Sequence, residues 1–396
     1  DMSEPEAFYR QAIDLNRYSN HVALNVMRAY NDIVIDATRK LGDIGTLNPR
    51  EAARLNALLA QTAESMQTWA GDSSVYMVQE LQGLAKLEAD FASGQLKKVI
   101  KAELANGVKT VEITPDFARA VVMSDPTDIS AAVLSPSLEQ QVAGISPGAG
   151  TLDAAKGSAL IFPNGKNLNT SFRQLAESSA ARFRKTVQNG MLTGENMRDM
   201  VKRLRGDLRF ADSADITRTI KKGGELTTLS DAQIRSLIRT AVTQMTTNVD
   251  REFYAANSDV ISAYRYRATL DLRTTAICRS LDGKVFKFGK GPEPPQHFGC
   301  RSRIIFITES EAEGDVPQRG ERAALGGRVP VDTTYGKWLA GRSAKEQNEA
   351  LGGAKKGDIF RRLLEKESGD TAIAKFVSND GAELTLKDLQ EKYGAP

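Results

Sequence analysis

Apolar residues recur every three, four or seven positions from residue 4 to about 41. Phe8, Ala12, Leu15, Val22, Val26, Ile33, Ala37 and Leu41 mark this stripe, the period of one helical face. Gly42 is a stop, and Asn48-Pro49 supplies an N-cap and a first-turn proline for a second helix. That helix carries Ala52, Leu55, Leu59, Met66 and Trp69, and Gly71-Asp72-Ser73 should break it. A third helical stretch is expected over 74–104, on Val78, Leu81, Leu84, Leu87, Phe91 and Leu96. The pattern loosens over 106–168, where Val108 to Thr114 alternates like a short strand. Pro115, Pro126, Pro136 and Pro147 and the turn-rich Gly144–Gly150 follow, so an extended connector with a small hairpin near 108–124 is expected.

Helices resume over 171–189 and 194–208, the latter capped by Thr193 or a neighbour. A third opens at Ser230-Asp231 and runs to Tyr254. The period then switches to two. Residues 263–270 and 284–288 alternate about an Asp282-Gly283 turn, a favoured hairpin dipeptide, and 303–307 is a more buried strand. Beyond a Gly/Pro-punctuated stretch, the apolar pairs between Trp338 and Leu386 predict two helices and a hairpin around Asp380-Gly381. The fold class is therefore α+β and mostly helical, with a small antiparallel sheet in the C-terminal half. Four units are expected: an N-terminal helical arm (1–105), the connector (106–168), an α+β domain (169–315) and a small C-terminal lobe (316–396).

Composition narrows the function classes. The 396 residues suggest two or three structural units. Hydrophobic residues make up 41%, enough for a packed core. No apolar run nears the ~20 residues that span a membrane, and the acidic, polar start is unlike a signal peptide. The net charge of +3 conceals a slightly acidic helical arm and a basic stretch over 181–240. There Arg182, Arg184, Lys185, Lys202, Arg203 and Arg205 form either a solvated helical face or a contact for phosphates. The arm itself reads as a helical hairpin packed on itself or as a docking surface. In the second case Phe8, Leu15, Val22, Val26 and Ile33 would meet the partner.

Two cysteines and two histidines exclude a disulfide scaffold. Cys278, Cys300 and His297 nevertheless fall in one short stretch. They make three soft ligands for zinc, structural or catalytic with an acid such as Asp282 nearby. Alternatively they are a packed hairpin with no metal. Nothing supplies an oxyanion hole for a Cys–His nucleophile pair.

The order Asp271-x-Arg273-Thr274, Cys278-x-x-Leu281-Asp282-Gly283 and Pro294-Pro295-x-His297-x-x-Cys300-Arg301 resembles the Mu F-type phage head morphogenesis proteins. The likeness extends from roughly residue 170 to 390, taking in Ile238-Arg239-Thr240 upstream and Tyr335–Leu339 downstream. Thr275, Ser302 and Ala241 depart from it, standing where the family often has Cys, Cys and Glu. Two thiols fewer than the family pattern favours a structural hairpin over an enzyme, with zinc the one cofactor to consider. The resemblance implies a non-enzymatic, low-copy minor capsid protein inside the virion near the portal, found in the host cytoplasm during assembly and making no membrane contact there. It would bind the portal protein and aid head assembly, with a part in DNA packaging or genome ejection. Major capsid or scaffold protein and packaged DNA are the further partners expected. The alternative is a zinc-dependent nuclease or other nucleic-acid enzyme built on Cys278, His297, Cys300 and Asp282.

Overall fold

In the computed structural model, the described residues are 4–45, 48–100, 104, 107–113, 118, 122, 150–152, 162–206, 224–308, 320–379 and 381–394. Most of the expected connector, including residues 123–149, lies outside them, as do Asp1–Ser3 and Asp380.

Helix α1 spans Glu4–Gly42, as its stripe predicts. Helix α2 runs unbroken over Pro49–Val99, with Asn48 accepting from the Arg50 and Glu51 amides as its cap. Gly71-Asp72-Ser73 does not end it, contrary to expectation. A helical glycine costs about 1 kcal/mol, and the flanking Trp69, Ala70 and Met77 are buried. The Ser74 hydroxyl meanwhile donates back to Ala70 O and bonds Asn169. Tertiary packing outweighs local propensity here.

Helix α3 (Leu168–Leu192) lies along α2. The shorter α4 (Met197–Arg205) is capped by Asn196 rather than Thr193. Helix α5 (Glu225–Ala256) begins five residues before the expected Ser230 and is the spine of the molecule. It touches α1, α2, α3 and α4. At its end, the Asn257 side chain bonds both the amide and the carbonyl of Lys109. That contact fixes the entry to strand β1 (Val111–Ile113), which pairs in parallel with β2 (Gly150–Leu152), while most of the hairpin expected near 108–124 lies outside the described residues.

The main sheet is antiparallel, in the order β4 (Val285–Lys287), β3 (Ile261–Arg267), β5 (Arg303–Thr308). Tyr264 sits opposite Phe286 on one side and Phe306 on the other. A short helix α6 (Ala276–Leu281) stands between β3 and β4, so Asp282-Gly283 is a helix exit and not a two-residue hairpin loop. A β6–β7 hairpin (Glu321–Ala324, Gly327–Pro330) leads to the last lobe. That lobe has five short helices where two were expected: α7 (Tyr335–Ala340), α8 (Ala344–Leu351), α9 (Ala354–Leu364), α10 (Gly369–Ala374) and α11 (Leu386–Tyr393). Its own core centres on Trp338, Leu339, Phe360 and Phe376.

One apolar cluster runs from Phe8 through α2, α3 and α5 to Phe306 of β5. The arm and the α+β segment thus share a core. Of the docking stripe, Phe8, Val22 and Val26 are buried in it, while Leu15 and Ile33 pack partly against it. Phe8 lies edge-on to Phe91 and Phe306. The stripe as a whole is therefore not an open face, because α2, α5 and β5 already cover most of it.

Candidate metal centre and its scaffold

Cys278 is carried by α6, and His297 and Cys300 by the turn that enters β5. Helix α5 shapes that turn. The Gly299 amide donates to Thr240 Oγ1, and Thr243 Oγ1 donates to Cys300 O. Gly299 itself takes φ +72°, a left-handed conformation that favours glycine. The result brings Cys278 Sγ to 3.3 Å from His297 Nε2 and 3.8 Å from Cys300 Sγ. All three donor atoms lie within 4.8 Å of one another.

These separations suit zinc. Two thiolates at Zn–S of about 2.3 Å in a tetrahedron stand about 3.8 Å apart, and a thiolate and an imidazole about 3.5 Å apart. His297 Nδ1 donates to Phe298 O at 2.9 Å, which leaves the Nε2 lone pair facing the sulfurs, as a metal-bound histidine requires. The hydrogen bond to Cys278 pulls the Cys300 thiol well below its usual range, while burial opposes it. The Cys278 thiol is pushed well up by the same bond and then by burial. Of the two sulfurs, Cys300 is the readier thiolate. Burial lowers His297, but the bond and charge of Cys300 outweigh it and the imidazole is raised.

Two neighbours complete the pocket. Tyr266 Oη lies 3.3 Å from Cys278 Sγ, and its phenol is pushed well up by burial. Ser302, where the family pattern has a cysteine, is buried beside them. Tyr266 does not stand out in the sequence, where it reads as an ordinary strand residue, whereas Ser302 is visible there as a departure from the family pattern.

Asp282 is not part of this centre. Arg322 donates to both of its oxygens, at 2.9 and 3.1 Å. The Ala268 and Tyr335 amides add bonds of 2.7 Å each. A carboxylate so occupied has no lone pair left for a metal or a water, which corrects the catalytic role considered above. Its work is structural, because it ties the end of α6 to β6 and to α7.

The other motif residues are scaffold too. Asp271 accepts from the Arg273 amide and Thr274 Oγ1 at 3.0 and 3.1 Å, and is gripped through both oxygens by Arg301. Burial opposes its charge, but Arg301 holds the carboxyl below the usual range. Leu281 is buried, and Gly283 turns at φ +83° against Thr334. Pro294-Pro295 is a cis peptide. Of the basic candidates, Arg184, Lys185 and Lys202 are exposed, and Arg182 and Arg205 are half-buried. Arg203 pairs with Glu195 and donates to Thr186 O.

Residues 181–305 match the family model described as Phage Mu protein F like protein. This segment is Mu F-like. No curated protein and no solved structure matches the chain. The Mu F-like segment takes in α5, β3, β4, the first half of β5 and the Cys278–Cys300 centre, but neither α1–α2 nor the C-terminal lobe. It is narrower than the span over which the motifs resemble the family.

A second ionic centre escaped the sequence altogether. Arg303, the first residue of β5, donates to Glu88 at 2.6 Å, Asp250 at 3.3 Å and Gln11 at 2.8 Å. It joins α1, α2 and α5 to the sheet. The one available signal was Glu88 itself, a charge within the apolar stripe of α2.

Proposed function

We propose that the chain is a bacteriophage minor head protein that works by assembly rather than catalysis. It is a low-copy component inside the capsid, bound to the portal, and it aids head assembly and the packaging or ejection of DNA. The observation that carries this reading is the Mu F-like match over residues 181–305. The geometry agrees, because the motif residues Asp271, Asp282 and Arg301 are spent on internal bonds. The exposed Arg184, Lys185 and Lys202 on α3 and α4 suit contact with packaged DNA. In this scheme α1 and α2 carry the partner surface.

The test is co-expression of the full chain with the portal protein encoded in the same phage, followed by affinity purification and mass spectrometry of purified virions. Copurification, with a few copies per particle, is expected. A chain absent from virions and indifferent to the portal would end the reading.

A metal reading is favoured by the spacing of Cys278, His297 and Cys300. Zinc held there would clamp α6 to the turn before β5. As a nuclease the centre is poorly equipped, since Asp282 is fully engaged. Hydrolysis of a labelled duplex that is lost in His297→Ala would favour the enzyme instead.

A further inference from the structure

The antiparallel pair α1–α2 turns its inner side to α5 and α3, and its outer side carries a groove in two sections. One section, about 670 Å³, is lined by Val26, Ile33, Trp69 and Tyr76 among others. The second, about 440 Å³, lies further along the same two helices and is lined by Leu15, Tyr18, Leu84 and Leu87. Together they reach from Gln11 to Ile33 of α1, about 33 Å at 1.5 Å per residue. That is the length of a helix of roughly six turns.

Three features distinguish this groove from an ordinary furrow between helices. Its floor is pinned by bonds between the two helices: Trp69 Nε1 donates to Val26 O at 3.0 Å, Asn25 Nδ2 to Tyr76 Oη at 3.1 Å, and Tyr18 Oη to Glu80 at 2.6 Å. The shape is therefore set before anything binds, which lowers the ordering cost of docking. Leu87, a large apolar side chain, is 68% exposed in the wall. The charge is one-sided: Asp14, Glu64, Asp72, Glu80 and Glu88 line the two sections and no lysine or arginine does so. Glu88 is paired with Arg303 and Asp14 with Arg17, which leaves Glu64, Asp72 and Glu80 to face a partner. Two basic side chains contact the lining: Lys40, which is paired with Asp36, donates to Gln61, and Arg28 donates to Asn25.

From this charge and shape we propose that the outer α1–α2 groove is the docking site for a basic amphipathic helix of a partner protein. The inference deepens the assembly reading above and rests on it for the partner's nature. The apolar face of the incoming helix would lie on Leu15, Ile33 and Leu87, and its lysines and arginines would face Glu64, Asp72 and Glu80. Leu15 and Ile33 are the members of the α1 stripe left partly open on this outer side.

The test uses the full chain and a labelled 21-residue designed peptide with leucines at helical spacing flanked by lysine and arginine. A control peptide carries glutamate at the basic positions. Fluorescence anisotropy should show micromolar binding of the basic peptide, weakened at least tenfold in Glu64→Lys/Asp72→Lys, in Leu87→Lys and by added salt. These side chains are exposed, so circular dichroism should be unchanged. The proposal is overturned if the basic peptide fails to bind up to 1 mM, if the control binds equally, or if the variants bind like the parent. It is also overturned if sedimentation finds a self-dimer that the same variants abolish, which would assign the groove to a second copy. Portal copurification that survives the groove variants would sink the groove and spare the assembly reading. Peptide binding without any portal association would do the reverse.

Discussion

Replacing Arg303 with methionine is expected to loosen the union between the helical pair and the sheet. The side chain is 6% exposed and Glu88 and Asp250 are fully buried. The guanidinium also lies 5.1 Å over the Phe8 ring and 5.9 Å over Phe91. One arginine balances two carboxylates only if one of them keeps its proton. Asp250 is that one, its carboxyl pushed well above the usual range by burial and then by the Glu88 charge. Methionine conserves the apolar stem but leaves the buried Glu88–Asp250 pair with no counter-charge. Removing one partner of a buried pair costs about 3–5 kcal/mol, on the order of 5–10 °C in Tm if the shared core unfolds as a unit. Asp250→Asn removes no negative charge that the folded state relies on and should cost under about 1.5 kcal/mol. Because its folded pKa is raised, the stability Asp250 contributes is present at low pH and fades as pH rises through the folded value. The asparagine variant should therefore lose that slope. Thermal and urea unfolding followed by circular dichroism measures all three. Equal losses for Arg303→Met and Asp250→Asn, or a loss below about 1 kcal/mol for Arg303→Met, would refute the charge accounting.

Elemental analysis of chain purified without chelator should find near-stoichiometric zinc if the three donors bind it, with Cys300→Ser lowering the zinc content at least tenfold. No zinc in the parent after dialysis against it would leave the centre a thiol pair. Asp271 behaves opposite to Asp250. Its folded pKa is lowered, so its stabilisation is full above the unfolded value of about 3.9 and is lost as pH falls through the folded one. Unfolding should therefore steepen below about pH 4 in the parent and not in Asp271→Asn. At the α7–α10 crossing, a Cβ on Gly336 would stand 2.4 Å from the Gly369 carbonyl oxygen. Gly336→Ala should cost about 1–3 kcal/mol, read as early exchange of C-terminal lobe amides, whereas Gly71→Ala, with open space, should be neutral or stabilising.

The long helices α1 and α3 and the start of α2 were legible from their apolar faces and from ends such as Asn48-Pro49, whereas the course of α2 past Gly71 and the five short helices of the last lobe were not. The strands were legible by alternation, and the order of the Asp-x-Arg-Thr, Leu-Asp-Gly and His-x-x-Cys-Arg blocks pointed to the Mu F-like segment. The grouping of Cys278, His297 and Cys300 was likewise written in the chain, since they lie within 23 residues and flank one strand connection. What those groups do was decided only by contacts between distant residues. Whether Gly71 ends a helix depended on Asn169 and the core around Trp69. Whether Asp282 can serve a metal depended on Arg322, forty residues on. The apolar stripe of α1 specified that it would be buried, but not by what. Periodicity records how much surface must leave water, whereas the choice of α5 and β5 as its cover is a property of the packed whole. The same packing made the outer side of α1 and α2 an acidic groove, from carboxylates that in the sequence are merely scattered.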